Sequence, residues 1–248
     1  MQLTVVGCAG TFPGPDAACS SYLIEHDGFR LLVDAGNGST GALQRSIGLL
    51  DIDAVLISHL HGDHYLDLVT YTYARRYHPD GSPGCLPVYG PDGLEEHVKG
   101  AFGRPVDDLL NAVYEFHEVT TGKLDVGPFE VELAPVNHPV ETYAMRIAAG
   151  GRSLTYSADS GLCDELVDLA RGTDLFLCEA SYLEGEDNPP NIHLTGKEAA
   201  DHAKRADVER LVLTHLVPWG DRDRTLTEAT EVFTGDLSVV NAGDVFEV

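Results

Sequence analysis

Short apolar runs broken by Gly, Pro and Asp recur along the chain, and most have the length and branched-residue content of strands rather than helices. Runs at 2–7, 20–25 and 29–34 predict three strands, the last two joined at the hairpin signal Asp27-Gly28. Ala54-Val55-Leu56-Ile57, following the polar Asp51 and Asp53, predicts a buried strand. Further strands are predicted at 86–89, 113–119, 129–136, Tyr143 to Ala148, Ser153 to Ser157, Asp174 to Cys178, Leu211 to Leu213, 237–241 and 244–247. Helical spacing marks 65–77, with Leu66, Val69, Tyr73 and Tyr77 on one face, and also 92–102, 196–206 and 225–234. The third of these opens on the capping box Thr195-Gly196-Lys197-Glu198. Arg75 and Arg76 close helix 65–77, where cations complement the helix dipole. Strands interleaved with helices predict a layered α/β fold.

The ends of these strands carry most of the chemistry. Directly after the 54–57 run comes Ser58-His59-Leu60-His61-Gly62-Asp63-His64. In extended backbone, residues two apart face the same side, so His59 and His61 can converge on one ion. Gly62 permits the turn that follows, past which Asp63 and His64 can reach a second ion. Neutral imidazole and carboxylate suit zinc and its divalent neighbours. His138, Asp159, Glu179 and His215 each follow or end a later strand. Singly, His138, Asp159 and His215 would each read as a satisfied structural polar residue. Jointly with 59–64 they fill two coordination shells, gathered at one sheet edge as active sites of layered α/β folds are.

Other residues read more plainly. Asp34, ending a strand before Gly36-Asn37-Gly38, is a backbone cap or orients a metal ligand. Gly10-Thr11-Phe12-Pro13-Gly14-Pro15 is a loop. The sole tryptophan, Trp219, is expected in the core, with base stacking as the alternative. His26, His78, His97, His117 and His202 are assigned to the surface.

The 248 residues show no linker or low-complexity boundary, so one domain spanning 1–248 is expected. Lys plus Arg is 16 and Asp plus Glu is 40, giving 16 − 40 = −24. Such a surface repels polyanions, which argues against long RNA or DNA as a partner. The N-terminal run lacks a signal-peptide pattern, and no apolar span has transmembrane length, so a cytoplasmic protein without a membrane partner is expected. The 5 cysteines lack metal-type spacing, and Cys8 and Cys178 are expected as buried thiols.

His59-x-His61-x-Asp63-His64 with His138, Asp159 and His215 resembles the metallo-β-lactamase superfamily. The resemblance runs along nearly the whole chain and is nearest to the RNase Z-like branch, through Leu177-Cys178-Glu179-Ala180, His193-Leu194-Thr195 and Leu213-Thr214-His215. It implies a four-layer αββα sandwich of two mixed β-sheets with outer helices. It implies that His59, His61 and His138 hold one divalent ion, that Asp63, His64 and His215 hold another, and that Asp159 bridges them. Zinc is expected, with manganese and iron also suited to these ligands. Glu179 and His193 match a pair that works beside the scissile phosphate in that branch. The family's Ser-Gly-Asp-Thr-Gly is here Ser157-Ala158-Asp159-Ser160-Gly161.

One departure bears on substrate. RNase Z enzymes carry a long tRNA-gripping arm between the third-histidine motif and the bridging aspartate. Here that interval is 159 − 138 = 21 positions, enough for a strand and a turn. The resemblance therefore points to small phosphodiesters, and nearest to an actinobacterial group of cyclic-nucleotide phosphodiesterases. Water activated between two ions would attack phosphorus, with Asp63 accepting its proton. His193, held by Glu179, would stabilise charge or protonate the leaving oxygen. The alternatives are a thioester or lactone hydrolase on the same fold, an RNase Z-type nuclease, or a catalytically silent metal-binding protein. Homodimerisation through helix 65–77 is a further expectation from the resemblance.

Overall fold

The computed structural model describes residues 1–248. The chain runs β1 (Gln2–Ala9), β2 (Ala18–Cys19), β3 (Ser21–His26), β4 (Phe29–Val33), α1 (Ser39–Leu43), β5 (Ala54–Leu56), α2 (Gly62–Tyr65), α3 (Asp67–Arg76), β6 (Leu86–Gly90), α4 (Leu94–Ala101), α5 (Asp107–Asn111) and β7 (Tyr114–Glu118). It continues β8 (Gly122–Val126), β9 (Phe129–Pro135), β10 (Tyr143–Ala149), β11 (Arg152–Tyr156), α6 (Asp164–Ala170), β12 (Leu175–Glu179), α7 (Gly196–Ala206), β13 (Arg210–Thr214), α8 (Arg222–Thr230), β14 (Asp236–Val239) and β15 (Val245–Glu247).

The first sheet has the order β15-β1-β3-β4-β5-β6-β7, with β2 beside β1, and the second β14-β13-β12-β11-β10-β9-β8. Each sheet is mixed. Strands β4 to β7 are parallel while β15, β1, β3 and β4 pair antiparallel; β11 to β14 are parallel while β8 to β11 pair antiparallel. Antiparallel pairs close through short turns, whereas parallel pairs need crossovers, and α3 and α7 lie within such crossovers.

The core explains the layering. Alternate residues of both sheets (Leu3, Val5, Ile24 and Leu56 from one, Val131, Met145, Leu154 and Val212 from the other) form one buried cluster between them. The opposite face of the first sheet (Leu23, Leu32, Val55, Ile57) packs on Leu68, Tyr71 and Val98 of the helices. The opposite face of the second (Phe176, Leu211, Leu213) packs on Leu166, Ala199 and Ala203. The molecule is thus the four-layer αββα sandwich expected of the resemblance. No helix is long and apolar enough to cross a membrane.

Several expectations need correction. The helix expected over 65–77 is α3, Asp67–Arg76, with the short α2 (Gly62–Tyr65) before it, and α3 buries Leu68, Tyr71, Thr72 and Arg75. Tyr73 and Tyr77, expected on its apolar face, are exposed. The spacing of the aromatic residues was real, but the sheet contact is made one residue away, where the Tyr114 hydroxyl donates to Leu68 O at 2.8 Å. Arg75 is not a solvated dipole partner: it is buried, donates to Gly84 O at 3.2 Å and lies over the Tyr71 ring. His202 is buried too, its Nε2 accepting from Cys163 N and its Nδ1 donating to Glu198 O. Trp219 is 73% exposed and no part of the core.

The capping box at α7 forms as expected, with Thr195 Oγ1 accepting from Glu198 N at 3.2 Å and Glu198 Oε2 from Thr195 N at 2.9 Å. Thr195→Ala should therefore lower stability by about 1 kcal/mol, read as a lower urea midpoint at unchanged slope.

Candidate metal centre

Asp34, His59, Asp159, Glu179 and His215 stand at the C-terminal ends of β4, β5, β11, β12 and β13, the edge where ligands of open α/β sheets bind. His59 forms an isolated bridge with Thr142, which ties the loop after β5 to the second sheet. His61 stays extended, at φ −76° and ψ 143°, before α2 begins. This turn depends on a close approach: a Cβ on Gly36 would lie 1.9 Å from Asp63 O. Asp34, Ala158 and His215 hold left-handed φ values of 57°, 52° and 55° without being glycine. Such backbone costs on the order of 1–3 kcal/mol per residue and gathers where a site over-determines it. Ala158 takes this conformation where the resembling family has glycine.

The structure brings together two sets of donors. His59, His61, His138 and Asp159 each offer one ligand atom, all within 4.8 Å of one another, and so do Asp63, His64, Asp159 and His215. Asp159 belongs to both. Its Oδ2 is 3.6 Å from His59 Nε2, while its Oδ1 is 3.3 Å from His64 Nε2 and 3.4 Å from His215 Nε2. Asp63 Oδ2 is 3.3 Å from His215 Nε2 and 3.6 Å from His64 Nε2, and His138 Nε2 faces His61 Nδ1 at 3.1 Å.

Three of these atoms, His59 Nε2, His64 Nε2 and Asp159 Oδ1, are buried without a hydrogen-bond partner. Each such orphan costs about 1–3 kcal/mol, so a cluster of them converging on common points needs a partner of another kind. The donor set fits divalent cations.

The outward ring nitrogens are tied down, which turns the inner ones to the centre. Asp34 Oδ2 accepts from His64 Nδ1 at 2.7 Å, from the Ser58 hydroxyl at 2.8 Å and from the Tyr156 hydroxyl at 2.9 Å, while Oδ1 accepts from Ser58 N at 2.7 Å. Asp34 is therefore both backbone cap and orienting group, the two readings its sequence position left open. Ser58 Oγ accepts from His59 Nδ1 at 3.0 Å, Ile192 O from His138 Nδ1 at 2.9 Å, and Ser181 Oγ from His215 Nδ1 at 2.8 Å. Ser58, Tyr156 and Ser181 escaped sequence reasoning; only Ser181, two residues past Glu179 and hence on its side, carried a usable signal.

Burial pushes His59, His61 and His138 below the ordinary histidine range, so these rings are neutral, as metal ligands must be. His64 differs. Burial lowers it, but the Asp159 and Asp34 carboxylates on either side override that and hold it well above its usual value. Burial would raise Asp159, yet His215, His64 and His59 hold it far below the carboxylate range. Asp63 is likewise held low against burial, by its hydrogen bond to His215 and by His64.

Beside the second donor set lies an acid–imidazole pair, its carboxylate buried and its imidazole half-buried. Glu179 Oε1 accepts from His193 Nδ1 at 2.8 Å and from Ser160 N at 2.9 Å, and Oε2 accepts from Ser181 N at 3.2 Å. The His193 ring centroid is 5.4 Å from that of His215 and 5.6 Å from that of His138. Burial lowers the His193 pKa, but the Glu179 charge dominates and carries it up to about 9. No spacing in the sequence indicated this contact across 14 residues.

A family model described as a β-lactamase superfamily domain matches residues 29–216, which include every one of these donors. The chain belongs to the metallo-β-lactamase superfamily. Within the superfamily it is 41% identical to an uncharacterised protein of Mycobacterium leprae over 253 residues, covering 100% of this chain and 89% of that protein. It is 31% identical to ribonuclease Z of Mycobacterium bovis over 273 residues, covering 97% of this chain and 96% of that protein. The crystal structure of the metallo-β-lactamase fold protein YhfI from Bacillus subtilis superposes with a TM-score of 0.89 at 31% identity, over 99% of both chains.

Proposed function

We propose that this superfamily member is a phosphodiesterase that uses two divalent ions, zinc in the first instance, to hydrolyse a small phosphodiester such as a cyclic nucleotide. His59, His61 and His138 would hold one ion, Asp63, His64 and His215 the other, and Asp159, which belongs to both donor sets, would serve the two. Ions so placed would supply activation of water and neutralisation of phosphoryl charge. Asp63, an acceptor at the mouth of the second set, would take up the proton released by the attacking water. His193, protonated and held at Nδ1 by Glu179, would present its other N–H to the leaving oxygen.

The observation that carries this reading is the Glu179–His193 pair at 2.8 Å. A buried carboxylate that keeps an imidazole charged next to a cation site suits an anionic, proton-demanding leaving group better than a thiolate. The charge of −24 weighs against long nucleic acids. So does the interval between His138 and Asp159, which is occupied by the β10–β11 hairpin.

The direct test is a panel of substrates offered to the metal-loaded protein: 3′,5′-cyclic AMP, a thioester and a lactone. The reading expects turnover of the diester and little of the others. Turnover of thioester or lactone alone would replace it with carbonyl hydrolysis.

The pH profile gives a second test. With His193 acting as an acid, turnover falls as pH rises through its pKa. Glu179→Gln removes the charge that raises that pKa, so the alkaline fall should move to lower pH. An unmoved alkaline limb would assign it to another group.

For oligomeric state we propose a homodimer through the outer face of α3, where Tyr73 and Tyr77 stack at 6.2 Å in solvent. A monomeric mass in solution at micromolar concentration would refute it.

A further inference from the structure

The largest side chain on the surface is also beside the candidate active site. Trp219 is 73% exposed, four residues past His215, and its ring lies 4.7 Å from that of Phe12 at a 33° tilt. Exposing an indole forfeits burial that a folded chain otherwise takes, so an exposed Trp packed on a second aromatic ring at the mouth of a cavity points to a ligand. Trp219 is held by the metal centre's own loops. Phe12 follows Thr11, whose amide donates to Asp63 Oδ2 at 2.8 Å. Gly10 packs so tightly on His215 that a Cβ there would lie 2.6 Å from the His215 carbonyl oxygen.

Trp219 lines a cavity of about 590 Å³ shared with His193, Tyr182 and Ser181. That volume is within the range of small-ligand pockets. Two of its lining residues adjoin the donor sets: Ser181 Oγ accepts from His215 Nδ1 at 2.8 Å, and the His193 ring lies 5.4 Å from that of His215. The rim's charge narrows the ligand further. Glu186, Asp187 and Asp221 line it, while the guanidinium of Arg224 is spent on Glu186 and Glu228, at 3.0 and 2.9 Å. An anionic group would be repelled here. A flat neutral group with N–H donors would be accepted: its face on the indole, its donors towards carboxylates.

We propose that this cavity is a nucleobase subsite in which Trp219, backed by Phe12, stacks the base of a nucleoside phosphodiester while the acidic rim accepts from an exocyclic amino group. The inference rests on the phosphodiesterase reading for the position of the phosphate, and it narrows the substrate class to nucleotides with amino-bearing bases.

Trp219 is the protein's 1 tryptophan, so its fluorescence reports the subsite without catalysis. Titrating metal-loaded protein with 5′-AMP should give saturable quenching, 5′-UMP should bind more weakly, and ribose 5-phosphate should leave the emission unchanged. Trp219→Leu should raise the KM for 3′,5′-cyclic AMP by about 5- to 100-fold, the scale of one base–aromatic stack, and Trp219→Phe should recover most of the loss. Equal quenching by ribose 5-phosphate, or a KM unmoved by Trp219→Leu, would overturn the subsite. The two readings fail separately. Diester turnover without base-dependent quenching removes the subsite alone. Base-dependent quenching without turnover keeps the subsite and removes the phosphodiesterase.

Discussion

On the two-ion phosphodiesterase reading, Asp159→Ala should lower bound divalent metal from two ions per chain to at most one and reduce phosphodiester turnover by about 10³-fold, the scale of losing a preorganised electrostatic group. The expectation follows from the two sides of this carboxylate. Oδ2 faces His59, and Oδ1 faces both His64 and His215, so one truncation opens both donor sets. It also removes the carboxylate that faces His64 Nε2 at 3.3 Å, opposite the Asp34 carboxylate that accepts from His64 Nδ1. Since alanine here could damage folding, Asp159→Asn is the companion variant. It keeps the shape, loses the charge, and should fail in the same way. Metal content by elemental analysis and turnover by product release check both. Two ions per chain with turnover within about tenfold of the parent would remove Asp159 from the bridging role.

His193→Ala should show an effect that depends on the leaving group. With 3′,5′-cyclic AMP the departing group is a ribose alkoxide, and loss of a positioned acid should cost about 10²- to 10⁴-fold. With bis(p-nitrophenyl) phosphate the departing phenolate is stable without protonation, so the loss should be smaller by at least about tenfold. The physical cause is the N–H that Glu179 keeps on His193, and it matters only where the leaving oxygen needs a proton. Equal losses on both substrates would mean that His193 stabilises charge rather than donating a proton. No loss on either would leave the Glu179–His193 contact a structural one.

How much of this was legible in the sequence divides along physical lines. Strands came through because each is a short apolar run ending in a polar residue; the runs that end in Asp159, Glu179 and His215 sit side by side in the second sheet, and the one that ends in His59 lies in the first. The donors closest in sequence, His59 to His64, were visible for the same reason. Contacts made only by folding were not. The Ser181 hydroxyl on His215, the Tyr156 hydroxyl on Asp34 and the carbonyl of Ile192 on His138 span 34, 122 and 54 residues. Two further elements escaped: α6 is seven residues, too brief for a helical period to be read, and β8 alternates Lys123 and Asp125 with apolar residues and offers no apolar run. Helix α3 was found but turned wrongly, because an exposed aromatic pair and a buried face look alike in a hydropathy pattern. Buried Arg75 and exposed Trp219 make the same point from opposite directions. Residue type sets a preference for burial, and the neighbours decide it.

The most direct test of the two-ion phosphodiesterase account is hydrolysis of bis(p-nitrophenyl) phosphate by protein stripped of metal and reloaded in steps, with His61→Ala alongside. The account predicts no turnover in the stripped protein, turnover that rises until two ions are bound per chain, and its loss in the variant. Two tightly bound ions with no turnover of any diester would contradict it.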